Sequence, residues 1–151
     1  MTNSRENVMN DLLFSEILEL FSKSETRKQK LEVLMKNGDE AFKQFLFIAF
    51  HPNIKFDIEA PDYRPSTEPA GLNYAYLRIE MRKIYRFITN HPEKSPGLSA
   101  DKQRQLLVVT LESLHKDEAE LLVKLFKKDL GVRYLTTTII NDAFPDLGIP
   151  V

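Results

Sequence analysis

Apolar positions recur at steps of three and four along almost the whole chain. Between Val8 and Phe21, residues Leu13, Phe14, Ile17, Leu18 and Phe21 keep this spacing, which places them on one face of a helix. A second, short helix is expected to open at Ser24, whose hydroxyl can accept a first-turn N–H, and to stop at Asn37-Gly38. Asp39 then opens a third, carrying Phe42, Phe45, Leu46 and Ala49 and ending near His51-Pro52. These three predict a small antiparallel bundle.

The pattern breaks over residues 52–71, where Pro52, Pro61, Pro65 and Pro69 hold themselves and their preceding residues out of helical geometry. With Ile54, Phe56, Ile58 and Tyr63 available to pack on the bundle, this stretch is expected to be an internal connector, not a domain boundary. Helical spacing resumes from about Leu72 to Thr89. Tyr74, Leu77, Met81, Ile84 and Ile88 form a seam there, and Arg78, Arg82 and Arg86 lie on an adjoining basic strip with Lys83 nearby. A helix capped by Ser99 follows over Ala100–Leu114 with Leu107, Leu111 and Leu114 inward. Another, capped by Asp117, turns Leu122, Leu125 and Phe126 inward, and a last short one spans Thr137 to Ala143. The expected fold is all-α, a single compact domain of about seven helices over residues 1–151.

Composition narrows the function classes. A chain of 151 residues suits one domain, and 42% hydrophobic with 28% charged residues is ordinary for a globular protein. Without cysteine there is no disulfide, thiolate nucleophile or Cys-based zinc site. The longest apolar run, Phe45 to Phe50, is far below the ~20 residues that span a bilayer, and Met1–Asp11 is too polar for a secretory signal. A cytoplasmic protein with no membrane contact is expected. A net charge of −1 denies the overall basic excess of many nucleic-acid binders, so any such role must rest on a local patch.

Little in the sequence points to catalysis. His51, His91 and His115 fall in separate turns without metal-ligand spacing, so no metal or cofactor is expected. The five glycines are isolated and form no phosphate loop. No nucleophile stands beside a base. The basic residues are more suggestive. Lys23, Arg27, Lys28 and Lys30 crowd the start of the second helix, and Lys124, Lys127, Lys128 and Arg133 precede Thr136-Thr137-Thr138. Cations beside hydroxyls and a helix N-terminus suit phosphate oxygens. The same spacing also describes a solvated helix face with Glu and Asp interspersed, and the threonines a simple cap; spacing leaves both readings open.

The C-terminal third adds a resemblance. Lys127-Lys128-Asp129-Leu130-Gly131-Val132 followed by Thr138-Ile139-Ile140-Asn141-Asp142-Ala143-Phe144-Pro145-Asp146-Leu147-Gly148-Ile149-Pro150 resembles the end of the N-terminal DNA-binding domain of bacteriophage ATP-dependent DNA ligases. There a basic helix ends in Asp-Leu, a Gly-containing loop follows, and a short helix reads Thr-Ile-Asn-x-x-Phe-Pro-x-Leu-Ile-Pro. Glu16-Ile17-Leu18 with Thr26-Arg27-Lys28-Gln29-Lys30-Leu31 is similar to that family's first two helices, and Phe45 to Ile58 to its third helix and the segment after it. The likeness runs from about Asp11 to Pro150, with Arg133-Tyr134-Leu135 standing where the family carries glycine and small residues. The adenylated-lysine motif Lys-x-Asp-Gly is not present; its nearest approach is Lys127-Lys128-Asp129-Leu130. The resemblance implies a non-catalytic, sequence-independent double-stranded-DNA-binding domain, a ligase fragment or a free-standing relative, gripping the backbone across the minor groove of nicked or non-specific duplex and serving replication or repair in the cytoplasm, the host's if phage-encoded. As part of a longer product it would belong to an ATP-dependent DNA ligase. Its expected contacts are Lys127, Lys128, Arg133, Thr136, Thr137, Thr138 and Asn141, with Arg27 and Lys28 second. The alternative is a phage protein-interaction module that reuses the fold to bind a phage or host replication protein; on either reading a monomer is expected.

Overall fold

The computed structural model describes residues 12–70 and 72–151. The expected helix start at Val8, the polar stretch Met1–Asp11 and Gly71 lie outside them. Among the described residues there are seven α-helices and no strand: α1 Phe14–Lys23, α2 Arg27–Lys36, α3 Glu40–Phe50, α4 Leu77–Glu80, α5 Ala100–Ser113, α6 Lys116–Phe126 and α7 Thr137–Ala143. Two 3-10 turns, Met81–Phe87 and Pro145–Leu147, complete the set.

Local chemistry explains most boundaries. Asp39 accepts the Phe42 N–H at 2.9 Å and Ser99 accepts the Lys102 N–H at 3.1 Å, so both expected caps hold. Two caps differ from expectation. Ser24 ends α1, its hydroxyl donating to the Leu20 carbonyl, and α2 starts instead at Thr26. Thr26 and Gln29 form a reciprocal capping box, each side chain accepting the other's backbone N–H at 3.1 Å. Likewise α6 starts at His115, whose Nδ1 accepts the Asp117 N–H.

The long helix expected over Leu72–Thr89 is the main correction. Only Leu77–Glu80 is α-helical, and Met81–Phe87 tightens to 3-10. The buried residues of this turn, Met81, Ile84 and Phe87, are spaced by three, the period of a 3-10 helix. Before it, residues 72–76 are not helical: the Ala75 N–H is held by the Ser113 carbonyl at the end of α5, and the Tyr74 side chain is 99% exposed. The basic strip therefore dissolves. Arg78 turns inward, paired with Asp39 at 2.6 Å and donating to the Leu12 carbonyl at 3.0 Å, with its guanidinium over the Phe14 ring.

Packing centres on α6, which meets α1, α3, α4 and α5, while α1 packs on α2 and meets α3 through Phe14, Phe42 and Phe45. Leu107, Leu111, Leu114, Leu122 and Leu125 are buried as expected, against an aromatic cluster of Phe14, Phe42 and Phe45. The connector packs on this core. Phe56 pairs with Ile88 in an isolated antiparallel bridge and meets the Phe126 ring edge-on, and the Arg64 N–H is held by Glu112.

Glu118, on the inner face of α6, ties the assembly together. It is 1% exposed, and its two carboxylate oxygens accept one N–H each, from Phe14 at the start of α1 and from Leu77 at the start of α4. Burial pushes its carboxyl above the usual carboxylate range, against those two hydrogen bonds and the nearby Arg78 charge.

Candidate nucleic-acid interface

Helix α7 packs on α2, which brings the two basic segments of the sequence together. Thr136 caps α7 by accepting the Ile139 N–H. Beside it opens a hollow of about 420 Å³ lined by Glu25, Arg27, Lys30, Tyr134, Thr136, Thr138 and Ile139. Three expected contact residues from opposite ends of the chain, Arg27, Thr136 and Thr138, thus share one concave surface. Arg27 also pairs with the exposed Asp142 of α7. Lys28, the next residue of α2, is exposed, and Thr137 is half-buried.

Arg133 joins this group through its neighbour: its guanidinium lies 4.9 Å from the centre of the Tyr134 ring. The ring's other cation is Lys30, at 5.6 Å. Lys30 is itself buried. Its ammonium donates to the carbonyls of Phe21 and Ser24 at 2.9 and 2.7 Å, closing the C-terminal end of α1, so its charge is committed within the fold.

The structure sets three other expected residues apart. Lys128 was expected to face phosphate, but its ammonium donates to the Ile48 and His51 carbonyls, the latter at 2.8 Å, and closes the end of α3. Its backbone adopts φ +59°, and the Lys128 and Asp129 N–H groups bond back to the Leu125 and Lys124 carbonyls, a Schellman ending with lysine where glycine is usual. Burial lowers its pKa to about 8. Asn141 bonds both the N–H and the carbonyl of Ile149 at 2.9 and 2.8 Å, pinning the C-terminal segment back onto α7. Lys127 is exposed but lines a different hollow, with the connector residues Ile58, Pro61 and Tyr63.

Sequence reasoning missed Glu118, Lys30 and Lys128 as fold-holding charges. One signal was present: Glu118 lies four residues before Leu122 and seven before Leu125, on the apolar face. The three histidines each accept, through Nδ1, the N–H of the residue two further on, which makes them turn residues. Among the described residues no group of histidine or acidic side chains could hold a metal ion. No helix among them is long and apolar enough to cross a membrane.

An all-helical domain with a cation-and-hydroxyl hollow between α2 and α7 is the class this geometry defines. Residues 17–132, well over half of the chain, match a family of unknown function (DUF6433), and the chain belongs to that family. No curated protein and no solved structure matches it.

Proposed function

We propose that the protein is a non-catalytic, sequence-independent double-stranded-DNA-binding domain of the phage DNA-ligase type, gripping the sugar-phosphate backbone. The observation that carries this reading is the meeting of Arg27, Thr136 and Thr138 in one hollow, with Lys28 and Arg133 exposed beside them in the sequence. Cations neutralise phosphates and release counterions, and hydroxyls fix register without reading bases. Lys127, Lys128 and Asn141 have no part in it.

The test is a salt-titrated anisotropy assay on two unrelated duplexes. Affinity should be micromolar or weaker, equal for both sequences, and should fall as salt rises. Replacing Arg27, Lys28 and Arg133 together by alanine removes three candidate phosphate contacts, and the salt slope should become shallower by about 2 to 3, following ~0.9 per contact. Absence of binding at low salt, or an unchanged slope in the folded variant, defeats the proposal.

A second reading, a module that binds a phage or host replication protein, has one observation in its favour. Asp142 already pairs with Arg27 and Glu25 lines the same hollow, so the surface is mixed in charge in the way protein interfaces are.

A further inference from the structure

The face of the Tyr134 ring has no use in a grip on continuous duplex. Its ring is 60% exposed although it stands at the hollow between α2 and α7. Its backbone is held at φ +69°, a region that bulky L-residues rarely enter. Two cations lie near the ring: Lys30, whose ammonium is held by two carbonyls and stands 5.6 Å from the ring centre, and the exposed Arg133 guanidinium at 4.9 Å. Two planar groups that can stack, a phenol and a guanidinium, are thereby presented together at a strained turn. A phosphate uses charge and hydrogen-bond donors, the Tyr134 hydroxyl among them, and leaves the face of the ring unused. In an intact duplex each base is covered by its neighbours and shows only its edges in the grooves, whereas an unpaired base exposes a face that aromatic and arginine side chains stack on.

We propose that Arg133 and Tyr134 form a stacking platform for an unpaired nucleobase, so that the site takes DNA with a single-stranded gap in preference to intact duplex. This deepens the DNA-binding reading and rests on it. Arg27, Thr136 and Thr138 hold the flanking backbone, and the platform takes the base that has left the stack. Tyr134 lines the hollow from this positive-φ position, with the Lys30 ammonium 5.6 Å from its ring centre.

The experiment is anisotropy at one low salt concentration with three labelled probes of equal length: an intact duplex, the same duplex with a short single-stranded gap, and an oligo-dT single strand. The wild-type chain should bind the gapped probe about tenfold more tightly than the intact one, within the range known for stacking a base on an aromatic side chain. Tyr134→Gly, which removes the ring and relieves the backbone strain, should erase that preference and bring the ratio of gapped to intact affinity to about one, whatever it does to the two affinities together. Tyr134→Phe should retain the preference. Equal wild-type affinity for gapped and intact duplex, or a preference that survives Tyr134→Gly, overturns the platform and leaves duplex binding standing. Absence of binding to all three probes overturns the DNA reading and the platform together.

Discussion

Replacing Glu118 by alanine should be among the most damaging single changes in this protein. The side chain is 1% exposed, and each of its oxygens serves a different N–H, that of Phe14 at 3.0 Å and that of Leu77 at 2.9 Å. Alanine leaves both donors buried without an acceptor, at about 1 to 3 kcal/mol each. Release from the cost of burying a carboxylate returns part of this, so the net loss should be about 2 to 4 kcal/mol, against a typical total of about 5 to 15. Glu118→Gln keeps one acceptor oxygen and turns an amide NH2 toward the second N–H, donor against donor, so it should lose about 1 to 3 kcal/mol. Urea unfolding followed by far-UV circular dichroism measures both. pH gives an independent check. Because burial raises the folded pKa above the unfolded value near 4.5, the folded state takes up its proton first. Wild type should therefore gain stability relative to Glu118→Gln as pH falls from neutral to about 4.5. An alanine variant within about 0.5 kcal/mol of wild type, or a difference from the glutamine variant that shrinks on acidification, would refute the argument.

Lys128→Met, which keeps the stem and removes the donor, should lose about 1 to 2 kcal/mol by unfastening the end of α3. The folded pKa is about 8 and the unfolded one 10.5, so the unfolded chain holds the proton longer, and the wild-type advantage over this variant should grow between those pH values in urea titrations. Gly38→Ala should destabilise by about 1 to 3 kcal/mol, read as a lower thermal midpoint, since its Cβ would stand 2.3 Å from the buried Phe144 ring.

How much of this was legible depended on whether a feature was local. The helical class, the Asp39 and Ser99 caps and the bounds of α7 follow from residues within a turn of one another, and the structure reproduces them. The Thr26–Gln29 box was equally local, but Ser24 two residues earlier offered a competing hydroxyl. The failure over Leu72–Thr89 came from ambiguity of period: Met81 and Ile84 fit an α seam through Leu77 and Ile88 as well as a 3-10 seam through Phe87. The charged residues that hold the fold had no local signature. Glu118 reaches a backbone group 104 residues away and Lys128 one 77 away, so a basic residue at a helix end was read as a surface cation when its carbonyl partners lie in another helix. In the expected contact set, Arg27, Thr136 and Thr138 meet in space, whereas Lys127, Lys128 and Asn141 were grouped only by nearness in sequence.

Lys30 and Lys128 have a consequence for the speed of encounter. Each spends its ammonium on the open end of a helix, so fewer cationic donors are free to contact a polyanion than the formal count of 21 lysines and arginines suggests. A chain of net charge −1 has little pull on a polyanion from a distance, and steering that lifts association toward 10⁸ M⁻¹s⁻¹ is not expected of it. On the DNA-binding proposal, capture should proceed at the unassisted rate of about 10⁵ to 10⁶ M⁻¹s⁻¹, with selectivity among partners expressed in how long each one stays.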